Sequence, residues 1–322
     1  MQRLIFILAI AAFLNVLSGC TKEDLSECPA PGVDILCTFT RNETGEDRLP
    51  EKMEHMDFFV YDADGTLVET CHVTAGEMTA GPHGMVAEKM LLLPAGSYTI
   101  VGWANVKETS HTFGSTGNID SAVLQTVCED NGSGKTVSHT MPAVLWGKAS
   151  LEVPMSRIAS CSMDMTQDTH DIHIQIAGPG EYDISLSASN GYYRFDNTPA
   201  DDSSPIAITY LPENPNEPLS TLEQGHTVTV SRSEESGWHN TLRTQSLYIG
   251  DDSRVTIRLS GTGDVVFDES LTGLICKDPS IKTDEDLAKI EHYDLKFKTD
   301  ILSGLVLVQV NDWVVKDQNT GV

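Results

Sequence analysis

The sequence predicts an all-β protein made of two antiparallel β-sandwich domains, with short helices in the connections. Between Gly32 and Val322 the apolar residues show little helical periodicity. They form short runs, many of them alternating, that are separated by Gly, Pro, Asn and Asp. The chain is also long enough for two ordinary domains, because 322 residues leave 303 once the first 19 are set aside.

The predicted strands follow one another at short spacing, which is typical of antiparallel sandwiches. Asp62-Ala63-Asp64-Gly65 and Pro94-Ala95-Gly96-Ser97 are turn sequences that join neighbouring strands into hairpins. The strands are predicted at Val33–Thr40, Met56–Asp62, Thr66–Cys71, Met85–Leu93, Tyr98–Ala104, Ala143–Val153, His170–Ile176, Glu181–Ser187, Pro205–Tyr210, His226–Ser231, Arg254–Ser260 and Leu305–Val315.

Two short helices are predicted between the strands. One is Ile119–Val127, which Asn118 can cap, and the other is Thr283–Ile290, where Thr283 precedes three acids that suit a helix N-terminus. The boundary between the sandwiches is predicted near Val153–Cys161. The chain then divides into a signal peptide, a tether, an N-terminal sandwich and a C-terminal sandwich at residues 1–19, 20–31, 32–156 and 157–322.

The first 19 residues have the three parts of a secretory signal peptide: a positive charge at Arg3, an apolar run over Leu4–Leu14, and small residues at the cut site. The apolar run is shorter than the roughly 20 residues that a membrane-spanning helix needs. Leu17-Ser18-Gly19-Cys20 resembles the lipobox of bacterial lipoproteins. That resemblance implies cleavage between Gly19 and Cys20, a diacylglycerol on the Cys20 sulfur, and an N-acyl chain such as palmitate on its amine. The alternative is an ordinary signal peptide in which Cys20 is incidental.

The residues after Cys20 refine the predicted location. Lys22-Glu23-Asp24 resembles the surface-export signal of Bacteroidetes lipoproteins, and Thr21 stands where an aspartate would resemble an inner-membrane retention signal. The location expected is therefore the outer membrane, lipid-anchored and at the cell surface, because two or three acyl chains anchor a protein stably. The alternative is a solvated charged tether.

Charge excludes two classes of partner. Arg3 is the only charged residue before Cys20, so the remaining chain has 20 basic and 47 acidic side chains. Such an acidic chain does not suit nucleic-acid binding, which requires a basic face, or adsorption to an anionic membrane surface. Attachment to a membrane is therefore expected through the lipid.

Six cysteines remain after Cys20, and they allow 15 disulfide pairings among which the sequence does not choose. Disulfides are permitted because an exported chain meets an oxidising compartment. No Cys-x-x-Cys pair is present, which disfavours a zinc ribbon or a redox motif. Cys37 alternates with Val33, Ile35 and Phe39, and at least two of the six cysteines are expected to be buried free thiols.

Motifs for catalysis or for ligand binding are weak. Gly132-Ser133-Gly134-Lys135-Thr136 resembles the end of a phosphate-binding loop, but Glu129 stands where the required first glycine would be. Asp62-Ala63-Asp64-Gly65 resembles the start of a calcium loop, but Leu67 and Val73 occupy the required glycine and glutamate positions.

A third candidate is a cluster of acids and histidines at Asp168, His170, Asp171 and His173. These residues could ligate a metal, but the alternation with Ile172 favours the solvated face of a strand whose other face is core. We therefore predict a protein that is not an enzyme and has no catalytic residues, no metal site and no cofactor.

Four segments together resemble the FimB-like anchor subunits of Bacteroidetes type V pili. They are Asp24-Leu25-Ser26-Glu27-Cys28 behind the lipobox, the hairpin Phe58–Val68, the segment Leu93–Asn105 with its Leu-Pro-x-Gly-x-Tyr and Gly-Trp-x-Asn parts, and Val308–Trp313. The resemblance implies two tandem transthyretin-like antiparallel β-sandwiches. It also implies a fimbrial anchor that is fixed to the outer membrane by its lipid and has fimbrial structural subunits as partners.

The resemblance further implies assembly by strand complementation, in which a strand of one subunit completes a sheet of its neighbour. The segment Leu305–Val310 is apolar on both faces, and the candidate donor residues are Leu305, Val306, Leu307, Val308, Gln309 and Val310. The alternative is an ordinary last strand of the second domain. An anchor is expected to keep its first strand, near Gly32–Thr40, whereas stalk subunits lose theirs to an Arg/Lys-specific protease.

Two other functions stay open. Cleavage after Arg41 or Arg48 would make the chain a stalk or tip subunit of the same pilus. A surface glycan-binding lipoprotein would instead present exposed aromatic platforms, for which the candidates are Trp146, Trp238, Tyr192 and Tyr193.

Overall fold

The structure is a computed structural model. The residues that it describes are 32–89, 91–130, 132, 134–138, 141–155, 158–199, 206–212, 217–218, 237–300 and 304–315.

The strands of the first half of the chain are β1 (Gly32–Arg41), β2 (His55–Tyr61), β3 (Leu67–Thr74), β4 (Thr79–Gly81), β5 (Gly84–Lys89), β6 (Gly96–Ala104), β7 (His111–Gly114), β8 (Val123–Thr126), β9 (Glu129–Asp130), β10 (Lys135–Val137), β11 (Leu145–Val153) and β12 (Ile158–Gln167). Those of the second half are β13 (Thr169–Ala177), β14 (Tyr182–Ala188), β15 (Tyr192–Arg194), β16 (Ile208–Tyr210), β17 (Glu217–Pro218), β18 (Gly237–Gln245), β19 (Arg254–Leu259), β20 (Val265–Ser270), β21 (His292–Asp300), β22 (Gly304–Val310) and β23 (Trp313–Val314). The α-helices are α1 (Leu49–Lys52), α2 (Leu271–Ile275) and α3 (Asp284–Lys289), and Ala75–Glu77 forms a 3₁₀ turn.

The first sandwich is a single folded sheet with the strand order β3-β2-β6-β11-β12-β1-β5-β4. β11 and β12 pair at only two positions, Leu145↔Gln167 and Trp146↔Thr166. The sheet folds over there, so that alternate residues of both halves face one core. Val33, Ile35 and Phe58 are among its buried members. Burying one such side chain contributes about 1.5–3 kcal/mol, which fixes which face of each strand points inward.

The second sandwich consists of two six-stranded sheets, with the orders β20-β19-β14-β16-β10-β9 and β17-β18-β13-β21-β22-β23. Their inner faces share one core, to which β13 contributes Ile172, Ile174 and Ile176 and to which α2 contributes Leu274. Most strand pairs among the described residues are antiparallel, but β1–β12, β10–β16 and β13–β21 are parallel. The predicted all-β sandwich architecture is confirmed, with these three parallel pairs added.

A small sheet of β15, β8 and β7 covers the outer face of β2 and β6. Phe59 and Trp103 from the first sandwich pack here against Phe195, with ring centroids 4.9 and 5.9 Å apart. This aromatic layer gives β2 and β6 apolar contacts on both faces. It also explains why the predicted strand Met56–Asp62 is apolar almost throughout.

The strand pairing does not follow the predicted domain boundary. β12 begins after residue 157, yet it pairs with β1 and β11 and therefore belongs to the first sandwich. β9 and β10 precede the boundary, yet β10 pairs with β16 in the second sandwich. The chain thus crosses between the two sandwiches more than once, which a division at residues 156 and 157 does not describe.

One of the two predicted helices is wrong. The predicted Ile119–Val127 helix is instead a turn followed by β8, because Asn118 Oδ1 accepts a hydrogen bond from the Asp120 amide and β8 pairs with β7. The second helix is confirmed as α3, whose N-cap Thr283 and Asp286 form a reciprocal capping box.

Candidate functional site

The residues predicted to carry the lipid and the export signal lie outside the described residues. They are Gly19, Cys20, Lys22, Glu23 and Asp24. In the part of the chain that is described, no helix has the length and apolar character needed to span a bilayer.

β1 lies inside its sheet, with β12 parallel on one side and β5 antiparallel on the other. Its inner residues Val33, Ile35, Cys37 and Phe39 are all buried. Removing β1 would therefore open a groove between β12 and β5 and expose the core. In this structure, the first sandwich is completed by the chain's own first strand.

The connection from β1 to α1 is a compact loop that its own polar side chains hold together. Asn42 is buried, and its amide donates to the carbonyl oxygens of Phe39 and Glu46 at 2.7 and 2.8 Å. Asp47 accepts from the amides of Phe39 and Leu49 at 2.8 and 3.1 Å. These contacts fix the segment between the two candidate cleavage sites.

The two candidate cleavage sites have different surroundings. Arg41 is largely exposed and lies 3.7 Å from the carboxylate of Asp164, which also accepts hydrogen bonds from the Thr40 amide and hydroxyl. Arg48 is less exposed and donates through Nη1 to Glu291 of the second sandwich at 2.7 Å. Arg41 is the last residue of β1 and Arg48 is the N-cap of α1, so both sites lie in hydrogen-bonded structure.

The predicted cluster of acids and histidines is more buried than the solvated face that its alternation favoured. His170 and Asp171 are buried at the start of β13, whereas His173 is only partly buried. Asp171 holds Arg243 in a bidentate ion pair at 2.5 and 2.7 Å and also contacts His292 at 3.2 Å. Burial alone would raise the pKa of Asp171, but the hydrogen bonds and charges of Arg243 and His292 hold it well below its usual range.

Asp168 and His170 are completely buried, and burial shifts the pKa of each towards its neutral form. Burial raises the pKa of Asp168 to about 6, although hydrogen bonds from Ser246 and Asn197 oppose that shift. Burial lowers the pKa of His170 to about 4, although its hydrogen bond to the Ile290 carbonyl opposes that shift. Among the described residues, no group of three or more His, Cys, Asp or Glu side chains is arranged to hold a metal ion.

The candidate donor segment Leu305–Val310 forms most of β22, within the second sandwich. Leu305, Leu307 and Val310 are buried in that core, and β22 pairs along its length with β21. On its other side, β23 pairs with Gln309 and Val310, and the Val315 amide donates to the Val308 carbonyl at 2.9 Å. Within the described residues, β23 therefore covers only the C-terminal end of β22.

The Gly-Trp-x-Asn segment has a clear structural role. Trp103 is completely buried in the aromatic layer between β2, β6 and the small sheet. Asn105 adopts a positive φ of 63°, its amide side chain donates to the carbonyl oxygens of Lys52 and Ala143 at 2.8 Å, and its Oδ1 accepts from the Glu54 amide. Asn tolerates this backbone conformation better than most residues, and here it joins three segments.

The four aromatic residues considered for a glycan site do not form an exposed platform. Tyr193 is buried, and Trp146 is partly buried and donates through Nε1 to the Phe195 carbonyl at 3.2 Å. Tyr192 and Trp238 are partly buried within β15 and β18. Their surroundings are those of packing residues.

Among the described residues, Cys37, Cys128, Cys161 and Cys276 are free thiols. Cys37 is buried, which raises the pKa of its thiol to about 12, and Cys71, Cys128, Cys161 and Cys276 are partly buried. At least two buried free thiols were expected, and among the described cysteines only Cys37 is buried. Cys28 lies outside the described residues.

A buried charged residue that sequence reasoning missed is Glu291. It lies in the short connection between α3 and β21, and its side chain is only 1% exposed. A single glutamate outside any periodic pattern gives no sequence signal of burial, because its partners Arg48 and Lys52 are more than 200 residues away.

These features can be compared with known proteins. A profile of the Fimbrillin-A associated anchor proteins Mfa1 and Mfa2 matches residues 25–319. The chain belongs to this family of fimbrial anchor proteins. The resemblance to fimbrial anchor subunits that the sequence motifs suggested is thereby confirmed.

The minor fimbrium anchoring subunit Mfa2 of Porphyromonas gingivalis is 23% identical to the chain over 335 residues, covering 98% of this chain and 95% of that protein. The solved structure of Mfa2 from the same organism superimposes with a TM-score of 0.65 at 17% identity, over 88% of this chain and 98% of that one. Two structures from Bacteroides thetaiotaomicron have the same fold. A candidate polysaccharide-binding protein gives a TM-score of 0.72 at 17% identity, over 89% of this chain and 98% of that one. A candidate adhesin gives a TM-score of 0.71 at 17% identity, over 90% of this chain and 99% of that one.

The Mfa2 family consists of structural fimbrial subunits. Membership in it implies association with other fimbrial subunits and a location at the cell envelope or surface.

Proposed function

We propose that this Mfa2 homologue is an outer-membrane lipoprotein that fixes a fimbria to the cell through acyl chains on Cys20 and through strand pairing with a neighbouring pilin. The observation that supports it best is the state of β1. β1 is buried between β5 and β12, so the first sandwich needs no strand from another subunit. A subunit that keeps its first strand also keeps the link from that strand to its N-terminal lipid.

The proposed contact with the neighbouring pilin lies at the end of the second sandwich. Donation of Leu305–Val310 to a neighbour would remove Leu305, Leu307 and Val310 from their own core, which is costly. Pairing at the edge of β22 would not, because β23 covers only the Val308–Val310 end of that edge within the described residues. An added strand would gain main-chain hydrogen bonds there while the core stays intact.

Replacement of Cys20 tests the lipid anchor. Cys20→Ala should release both the protein and the assembled fimbriae into the medium, because a chain with 27 more acidic than basic side chains has no electrostatic attraction to an anionic membrane. Cys28→Ala is the matched control, since it removes another cysteine of the same tether and should leave fimbriae on the cells. The measurement is the fraction of fimbrial protein in the medium and on washed cells. Fimbriae that stay on Cys20→Ala cells would contradict the proposal.

A further inference from the structure

Glu291 places a buried negative charge at the contact between the two sandwiches. Its carboxylate accepts from Arg48 Nη1 at 2.7 Å through Oε1 and contacts Lys52 Nζ through Oε2. Arg48 directly precedes α1 in the first sandwich and Lys52 is its last residue, whereas Glu291 lies just before β21 of the second sandwich. We call Arg48, Lys52 and Glu291 the clasp.

Because Glu291 is buried, its negative charge needs the positive charges of Arg48 and Lys52 nearby. A carboxylate that is removed from water is unstable without positive partners, and removing its partners from a buried pair is strongly destabilising. The Glu291 backbone is fixed as well, because its carbonyl accepts from the Asp171 amide at 2.9 Å. Burial raises the pKa of the Glu43 carboxyl, and the negative charge of Glu291 raises it further. The histidine next in sequence, His292, lies 3.8 Å from the Glu291 carboxylate.

Backbone hydrogen bonds also hold Arg48 in place. The Arg48 amide donates to the Phe39 carbonyl at 3.1 Å, and the Arg48 carbonyl accepts from the amides of Glu51 and Lys52 at 3.1 and 3.2 Å. Leu49, the next residue, is completely buried. A protease that cuts after Arg48 or Lys52 must pull this segment out as an extended chain, which would break the clasp and expose Leu49.

We propose that Glu291 is a positioning residue that holds the Arg48–Lys52 segment shut against proteases that cut after arginine or lysine. Closure keeps β1 covalently joined to the rest of the protein. Its consequence for a fimbria rests on the proposed function, because a cut here would leave only β1 and the tether on the membrane lipid. The closure itself depends on the clasp alone.

The test is limited proteolysis of the full mature chain with trypsin, followed by mass spectrometry. The quantity measured is the rate of cutting after Arg48 and Lys52 divided by the rate after Lys148, an exposed residue of β11. Glu291→Gln should raise this ratio about tenfold or more, because cutting follows the population of the locally open segment. Lys52→Met retains the pair with Arg48 and should raise the rate after Arg48 by a smaller factor.

The control is Asp268→Asn, which removes an exposed ion pair with Arg254 of 2.8 Å. It should leave the ratio unchanged, because exposed pairs contribute little. A ratio in Glu291→Gln equal to that of the unmodified chain would overturn the proposal, even if every bond is cut faster through global unfolding. An equal rise in Asp268→Asn would overturn it too. The assay contains no fimbriae, so its outcome is independent of the result for Cys20→Ala.

Discussion

Asp168 is a completely buried carboxyl group that no apolar pattern accounts for. It follows β12 at the crossing between the two sandwiches, where Ser246 Oγ donates to it at 2.6 Å and the Asp168 amide donates to the Val144 carbonyl at 2.8 Å. Its pKa, raised to about 6 by burial, means that the folded protein holds a proton that the unfolded chain releases near pH 4. Protonation therefore stabilises the fold through this residue.

The first prediction concerns the pH dependence that follows. Between about pH 4 and 6 the folded state binds more protons at Asp168 than the unfolded state does, so its contribution to stability falls as the pH rises. Asp168→Asn removes that loss. The free energy of unfolding of the variant minus that of the unmodified protein should increase by on the order of 2 kcal/mol from pH 4 to pH 7. Urea unfolding at several pH values measures it.

Asp268→Asn is the opposite-sign control for this experiment. The hydrogen bond from Arg254 lowers the pKa of the exposed Asp268, so its contribution to stability is lost as the pH falls and present at neutral pH. The free energy of unfolding of Asp268→Asn minus that of the unmodified protein should therefore decrease as the pH rises. His170, whose pKa is lowered, gives both proteins a common gain in stability as the pH rises from about 4 to 6.5, and that gain cancels in the difference. A flat difference for Asp168→Asn would refute the first prediction.

Single residues were predictable where their role is local. The Asp62–Gly65 turn has local causes, since Asp62 Oδ1 accepts from the amides of Asp64 and Thr66 and Gly65 has a φ of 76°. Asn105 was part of a motif that the sequence singled out, although its three partners were not foreseeable. Glu291 could not be found, because its partners are distant in sequence and a buried glutamate looks like any exposed one.

At the scale of the element, the alternating strands β1, β13 and β19 and the apolar strand β2 were predicted within one residue at each end. Strands β12, β18, β20 and β21 were among those missed, and the predicted strand His226–Ser231 lies outside the described residues. β12 is rich in serine and methionine and β21 in charged residues, so both have weak β-propensity and depend on pairing with distant strands. The Ile119–Val127 error has the same origin, because β8 is a strand only through its pairing with β7 and β15.

The second prediction concerns β22 as an element. A chain that ends after Val315 keeps β22 and β23 and serves as the reference for this test. A chain that ends after Asp300 loses Leu305, Leu307 and Val310 from the second core. Each large-to-small loss of this kind costs about 2–5 kcal/mol, and three together approach the whole stability of a typical domain, about 5–15 kcal/mol.

The shorter chain should therefore lack cooperative unfolding of the second sandwich, measured by fluorescence and hydrogen exchange. If it unfolds like the reference chain, β22 is dispensable to its own fold and free to be donated whole. That result would favour donation of β22 to a neighbouring subunit over pairing at the edge of β22.

At the scale of the molecule, two sandwiches were predictable from length and strand number, but their interweaving was not. β10 joins the second sandwich before β11 and β12 complete the first, and the small sheet of β7, β8 and β15 takes strands from both sides of the predicted boundary. Sequence patterns give the period of each strand but not its partner. For the same reason, the contact made by Glu291 between the sandwiches became visible only in the fold.

The third prediction concerns the net charge of −26. Like charges repel one another in the compact state, and salt shortens the range of that repulsion from about 30 Å at 0.01 M to about 8 Å at 0.15 M ionic strength. The melting temperature should therefore rise over this range of sodium chloride. The buried clasp is screened much less than exposed charges, so it should not reverse the trend. A melting temperature that falls would show that attractive ion pairs dominate the surface.

The setting of β1 between two neighbours has a mechanical consequence. A fimbria in flowing liquid pulls on its attachment, and in a chain tethered at its N-terminus the tension enters at Gly32 and runs along β1. From Gly32↔Ile158 to Thr38↔Asp164, and again along β5, the hydrogen bonds cross that direction. A pull along the strand therefore loads these bonds together, in shear, whereas a pull at a sheet edge opens them one at a time. A pull along β1 therefore meets more resistance than a pull that opens its hydrogen bonds one at a time.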